Sequence, residues 1–503
     1  MVSSLNVALK TVSLIAACAA LLAACKSSDD ATGETATGGA GGQPGATGGR
    51  GSGAEGGAPD TTTREVLPTD ERIRYTGRID FTDEEQPTFS SPGVYEEMRF
   101  RGDAVTVRIK DQYQDGKNNY YDVFIDDQEP IKLIPQRRVF EYPIDVDLEY
   151  GEHTVTVAKR TEATIGWGKF LGFRVNGQII DPGIERSRKL VFVGDSITAG
   201  SGVDATNGSA ECSEDGWGQP YHNVDHSYAV LAARSFDADY HVTAVSGIGL
   251  VQNYDTRWDA RTMPDVYDLL YLEQKDSPAW DTDQFVPDAI VIALGTNDFS
   301  TGEPSDPANT PPLIGAGGAG GADGAGEPGG AGGADDRGKA GGAGGAGGVD
   351  GGGEAGGAGG VDGAGEGGAA GGVAHVSSTG GASSAEPDPN WHRATPTPAD
   401  YAESYIAFIE TLRGYYGKVP VFCLQSPMLG NHWPNAEDTF RDDLNDSIQL
   451  VVEHYADAGD DTVYEVPIDQ ITGRGCGTHP DADQHEAIAD ELVDVMGPAM
   501  GWD

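Results

Sequence analysis

At 503 residues the chain is long enough for two or three domains, but 74 glycines leave part of it with nothing to bury. Its 80 acidic against 33 basic residues give a formal net charge of −47. That field repels phosphate backbones, which argues against a nucleic-acid partner, and suits a soluble protein outside the cell acting on a neutral substrate.

The N-terminus has the pattern of a processed segment. Lys10 precedes an apolar run, Val12–Leu22, too short to span a bilayer. The run ends in Leu22-Ala23-Ala24-Cys25, which resembles a bacterial lipoprotein signal. Residues 1–25 are therefore assigned to a signal peptide with Cys25 as the lipidated residue. Ile15-Ala16-Ala17-Cys18 is a competing site, and an ordinary secretory signal with a chance cysteine is the alternative. On either reading the chain is exported, and it meets a membrane only through a lipid anchor. From Lys26 to about Thr63 the chain is mainly Gly, Ala, Ser, Thr and Asp, and residues 26–71 are assigned to a disordered tether.

Over residues 72–180 the period becomes two. Val105, Val107 and Ile109 alternate with Thr106, Arg108 and Lys110, and Tyr121, Val123 and Ile125 repeat the pattern, as do Val155 and Val157. Short alternating runs between Gly, Asp and Asn turns predict an antiparallel sandwich, with no catalytic cluster in it. Residues 186–503 instead alternate apolar strands with helices. The strands are KLVFVG from Lys189, then Tyr240–Val245, Ala289–Leu294, Val419–Leu424 and Thr462–Ile468. Thr397-Pro398 opens a helix with Tyr401, Tyr405, Phe408, Ile409 and Leu412 on one face, and Ala482–Met496 is a second helix. Near-continuous apolar strands are buried on both faces, so a three-layer α/β/α domain with a parallel sheet is predicted. A Gly- and Ala-rich segment, 301–388, interrupts it as a disordered insert.

The candidate chemistry lies at strand ends. The first strand stops in Gly194-Asp195-Ser196, a turn that presents a hydroxyl at the carboxyl edge of the sheet, and Ser196 reads as a nucleophile. Gly247 follows the second strand and offers a backbone N–H. Asn297, in Gly295-Thr296-Asn297-Asp298, follows the third and offers an amide. His479 follows the fifth and is the candidate base. The N–H groups of Ser196 and Gly247 with the Asn297 amide make a candidate oxyanion hole. Each signal is modest alone; their order on one sheet edge gives them weight.

These four blocks, Ser196, Gly247, Asn297 and His479, resemble those of the SGNH (GDSL) hydrolase superfamily. Further segments resemble carbohydrate esterase family 2: YTGRIDF (Tyr75–Phe81), VAKRTEA (Val157–Ala163), FLGFRVNG (Phe170–Gly177), SGIGLVQNY (Ser246–Tyr254), MPDVYD (Met263–Asp268) and LGTNDFS (Leu294–Ser300). The resemblance implies a jelly-roll-like β-sandwich before the SGNH domain, no cofactor and no metal. It implies a serine esterase that removes O-acetyl groups from polysaccharides or oligosaccharides through a Ser–His dyad and an acetyl-enzyme, acting as a monomer. Many SGNH enzymes carry Asp three residues before the histidine; here that position is Cys476. The family 2 resemblance implies that a backbone carbonyl orients His479 instead, with Asp481 and Asp483 as lesser substitutes. Thr478 stands where the family commonly has Trp, which leaves the preferred sugar open. Alternatives are an SGNH lipase or thioesterase, acetyl transfer to a sugar hydroxyl, and a surface glycan-binding protein with weakened esterase activity.

Other residues take plainer readings. Asp195 and Asp298 bond loop backbone, His485 is structural, and Trp217, Trp258 and Trp433 are packing or rim residues, with stacking on a sugar ring as the alternative. His222 and His226 lack the nearby Glu or Cys that a zinc site needs. Cys423 is a buried thiol, and a disulfide between Cys212 and Cys476 is permitted in an exported protein.

Overall fold

The computed structural model describes residues 60–112, 118–183, 185–206, 212, 219–254, 261–300, 394–432 and 435–502. The signal segment with Cys25, most of the tether, the insert 301–388 and Trp217, Trp258 and Trp433 lie outside the described residues.

The N-terminal domain is a nine-stranded antiparallel assembly: β1 (Thr63–Val66), β2 (Arg74–Thr76), β3 (Thr88–Phe89), β4 (Tyr95–Asp111), β5 (Tyr121–Ile125), β6 (Ile131–Leu133), β7 (Glu141–Pro143), β8 (Gly151–Lys159) and β9 (Gly168–Ile179). The 17-residue β4 organises it. Its first half pairs with β2 and β8, its second half with β7 and β9, and an irregularity between Gly102 and Ala104 marks the change. Such a bulge bends a strand, so one strand serves two layers. Met98 and Phe100 from the first half share a core with Val105, Val107 and Ile109 from the second, together with Tyr121, Val123, Val155 and Val157. The period-2 pattern predicted this face. One correction concerns the tether: the composition predicts it through residue 71, yet Thr63–Val66 pairs with Phe173–Asn176 of β9 and Val66 is buried. A short strand flanked by charged residues carries too weak a pattern to stand out before its partner is known.

The second domain holds five parallel strands, β10 (Arg188–Gly194), β11 (Ala238–Ala244), β12 (Ala289–Ala293), β13 (Val421–Leu424) and β14 (Val463–Val466), in the order β11-β10-β12-β13-β14. Alternate residues face opposite helical layers. Val191, Val193, Ile290, Ile292, Val421 and Cys423 pack on the side of helices α4 (Pro398–Tyr416) and α5 (Phe440–Asp457). Leu190, Phe192, Val291, Phe422 and Leu424 pack on the side of α1 (Tyr228–Ser235) and α6 (Ala482–Met500). Two short helices, α2 (Met263–Val266) and α3 (Thr296–Phe299), lie in the loops after β11 and β12. The Thr397 hydroxyl accepts the Asp400 N–H at 3.2 Å with Pro398 at the first turn, so α4 starts where the sequence predicts. With β10 between β11 and β12, the strand order reverses direction beside it. That reversal opens a crevice at the carboxyl ends of the strands.

The two domains share packing and polar contacts. Tyr95 and Ala158 of the sandwich belong to the apolar cluster around α1 and α6. Tyr95 donates to Asp239 Oδ1 at 2.8 Å, and the buried Arg78 guanidinium donates to the carbonyls of Tyr267 (2.5 Å) and Leu269 (2.6 Å). Arg160 bonds Asp122 Oδ1 at 2.9 Å within the sandwich and Asp204 in the other domain.

Candidate active site

Ser196 sits in the turn directly after β10, at the crevice. The turn is tight: the Ala199 N–H bonds Asp195 O at 3.0 Å and the Ser201 N–H bonds Ser196 O at 3.0 Å. It also demands glycine at 194, because a Cβ there would lie 2.0 Å from Thr198 Oγ1. Across the crevice, His479 brings Nε2 to 2.7 Å from Ser196 Oγ, although 283 positions separate the two residues in sequence.

The other imidazole nitrogen identifies the orienting group. His479 Nδ1 lies 2.8 Å from the carbonyl oxygen of Cys476. An Nδ1–H donating to that carbonyl leaves Nε2 as the lone-pair acceptor facing Ser196, the tautomer a general base requires. Asp481 and Asp483 take no part. Asp481 accepts the Gln484 N–H at 3.1 Å as the cap of α6 and pairs with Arg474, and Asp483 lies 3.4 Å from the same guanidinium. Burial lowers the basicity of His479, and the neighbouring His222 lowers it further, against the raising influence of the Cys476 carbonyl and Glu162. The imidazole is therefore neutral at neutral pH.

Cys476 is itself anchored. It forms a disulfide with Cys212, with Cα atoms 5.6 Å apart, and its N–H bonds Gly202 O at 3.1 Å in the loop after Ser196. Cys423 is a buried free thiol on β13.

The loops after β11 and β12 meet beside Ser196. Gly247 adopts φ +82°, a left-handed conformation that glycine takes without strain, and its carbonyl accepts the Tyr254 N–H at 2.8 Å. The Asn297 amide donates to Ile248 O at 2.7 Å and to Asp195 Oδ2 at 3.1 Å. It thus ties the Gly247 loop to the nucleophile turn. Asp298 holds the same loop through the N–H groups of Leu250 (3.0 Å), Val251 (2.6 Å) and Gln252 (3.0 Å). Burial pushes the Asp195 carboxyl up to about 7, and the charge of Asp298 adds to the rise. Both aspartates bond loop groups, in line with their plain readings from sequence.

Sequence reasoning missed one participant. The sequence predicts no catalytic cluster in the sandwich, yet Glu162, 5% exposed, reaches the loop after β11 and accepts the Ser246 N–H at 2.9 Å. Burial pushes its carboxyl up, but the nearby His222 and the contacts with Ser246 and Thr164 outweigh burial and hold it below the usual range. The available signal was the run Lys159-Arg160-Thr161-Glu162 placed directly after an apolar strand. Of the paired histidines, His226 Nδ1 lies 2.7 Å from Asp204 Oδ1, and His222 is buried near His479 and Glu162. His485 Nδ1 accepts the Tyr228 N–H at 3.1 Å, a packing role.

The family description "Carbohydrate esterase 2 N-terminal" matches residues 75–182, and "GDSL-like Lipase/Acylhydrolase" matches residues 190–315. An acetylxylan esterase/glucomannan deacetylase of Cellvibrio japonicus is 30% identical over 250 residues, covering 48% of this chain and 66% of the relative. A second protein of that description from the same organism is 33% identical over 215 residues, covering 42% of this chain and 56% of its own length. The chain thus spans less than two thirds of these relatives. Among solved structures, a family two carbohydrate esterase from Clostridium thermocellum, an active-site mutant, aligns with a TM-score of 0.61 at 23% identity. That alignment covers 86% of this chain and 99% of the other and establishes the shared fold.

Proposed function

We infer that this chain, an SGNH (GDSL) hydrolase of the carbohydrate esterase family 2 type, is an esterase that releases acetate from O-acetylated polysaccharides or their fragments. The single observation carrying the reading is the 2.7 Å contact between Ser196 Oγ and His479 Nε2 at the carboxyl edge of the sheet. The acetylxylan and glucomannan deacetylases among the relatives support the carbohydrate substrate.

Each step follows from the groups present. Ser196 Oγ attacks the acetyl carbonyl carbon as His479 Nε2 takes the hydroxyl proton. The oxyanion accepts from the N–H groups of Ser196 and Gly247, while the Asn297 amide keeps its bond to Ile248 O and exchanges Asp195 for the acyl oxygen. His479 returns its proton to the departing sugar oxygen, which leaves an acetyl ester on Ser196. Water then attacks that ester, giving its proton to His479, and acetate leaves as Ser196 regains its hydrogen. Among the described residues the Cys476 carbonyl, not a carboxylate, orients the imidazole.

The chain's place outside the cell rests on the Cys25 segment, and a disulfide is at home in an oxidising compartment. Mass analysis of the mature protein should find acyl chains on Cys25; an unmodified chain beginning elsewhere would refute the anchor. The central test measures acetate release from acetylated xylan and acetylated glucomannan. Wild-type protein should release acetate and Ser196→Ala should lose at least about 10³-fold in kcat. Comparable activity in Ser196→Ala, or kcat/KM rising from p-nitrophenyl acetate to longer acyl esters, would sink the acetyl-esterase reading.

A further inference from the structure

The N-terminal domain does more than pack against the hydrolase. Strand β8 ends at Lys159, and the turn after it is fixed residue by residue. Lys159 Nζ donates to the carbonyls of Thr161 (2.6 Å) and Glu162 (3.0 Å). The Arg160 N–H bonds Tyr120 O at 2.9 Å, its guanidinium bonds Asp122, and the Thr161 hydroxyl donates to Asn119 Oδ1 at 2.8 Å. Little freedom remains to Glu162, whose carboxylate crosses to the second domain and accepts the Ser246 N–H.

Ser246 precedes Gly247. We propose that Glu162 is a positioning residue, supplied by the sandwich, which fixes the Ser246–Gly247 peptide so that the Gly247 N–H points at the reacting acyl oxygen. The inference rests on Ser196 being the nucleophile of ester hydrolysis. The geometry supports it from both sides of the peptide. Upstream, the Ser246 N–H is held by Glu162 at 2.9 Å and the Ser246 hydroxyl lies 2.8 Å from Ser201 Oγ. Downstream, the Gly247 carbonyl is held by the Tyr254 N–H at 2.8 Å. A glycine at φ +82° has wide backbone freedom, so its N–H direction depends on such clamps. An oxyanion donor serves only when aimed before the charge develops, and a misplacement of about 1 Å costs on the order of 100-fold. A buried carboxylate accepting an amide N–H is also a charge-assisted bond, stronger than one between neutral groups.

The test compares Glu162→Ala, Glu162→Gln and Glu162→Asp by kcat and KM on p-nitrophenyl acetate, with circular dichroism as the control for folding. Glu162→Ala should lower kcat by about 10- to 100-fold with KM changed less than about twofold. Glu162→Gln, whose amide oxygen still accepts from Ser246, should recover most of that loss. Glu162→Asp, one methylene shorter, should fall between them, and it replaces the alanine variant if that one does not fold. Unchanged kcat in the folded alanine or aspartate variant would overturn the proposal, as would a glutamine variant as impaired as alanine. Wild-type protein indistinguishable from Ser196→Ala would instead overturn the esterase reading beneath it.

Discussion

His479, the proposed base, has the Cys476 carbonyl rather than a carboxylate at Nδ1 among the described residues, and its surroundings disfavour the charged ring. Burial and His222 disfavour the charged ring, so the base stays unprotonated further into acid than an ordinary histidine near 6.5. Activity requires the neutral form, which dominates above the lowered pKa. The expected profile of kcat/KM is therefore a single-proton decline toward acid, with its midpoint below 6.5. A decline centred above 6.5 would show that another group controls the rate. Asn297 admits a second measurement: Asn297→Ala should reduce kcat by about 100-fold on p-nitrophenyl acetate with little change in KM, as loss of a donor to the oxyanion does. At this scale the sequence was informative where a reactive side chain follows a strand of the parallel sheet, as Ser196, Asn297 and His479 do. Glu162 escaped because its partner is a backbone N–H 84 positions away, and no local pattern encodes such a contact.

Among the elements, the loop from β14 to α6 carries the geometry that matters most to His479. It holds Gly477 and Thr478 in left-handed conformations, φ +62° and +63°, directly before the base. A β-branched residue adopts that conformation only when its surroundings impose it. The Cys212–Cys476 disulfide and the Cys476 N–H bond to Gly202 supply that constraint and fix the carbonyl facing His479. Cys212→Ser should therefore lower kcat by about tenfold with KM nearly unchanged, and a reducing agent should reproduce the effect in wild-type protein. Full activity after complete reduction would show that the remaining contacts of the loop suffice. The strands and long helices were legible because apolar periods of 2 and 3.6 are local properties. The loop was legible only in part: the sequence permits the Cys212–Cys476 bridge and no more, since the Cα separation a bridge needs is a property of the fold.

Across the whole molecule, the domains are joined by charge as well as by apolar packing. Arg160, 4% exposed, bonds Asp122 in the sandwich and Asp204 in the α/β domain, and Asp122 is pushed up to about 6 chiefly by burial, with Asp225 adding to the rise. Removing the cation strands buried carboxylates, and the cost of breaking such a pair is roughly 3–5 kcal/mol. Arg160→Met should lower the urea midpoint accordingly; an unchanged midpoint would mean that water already satisfies the carboxylates. The two fold classes were readable separately from their periodicities, whereas their joint surface was not. It is built from Arg78, Tyr95 and Arg160, charged or aromatic residues that sequence alone assigns to no particular partner.

The reach of Glu162 into the neighbouring domain has an evolutionary corollary. A recombination that exchanged the first module for that of a homologue would import a foreign prop for the second module's chemistry. Chimaeras cut between residues 180 and 188 should keep full activity only where the donor contributes an acid at the position of Glu162.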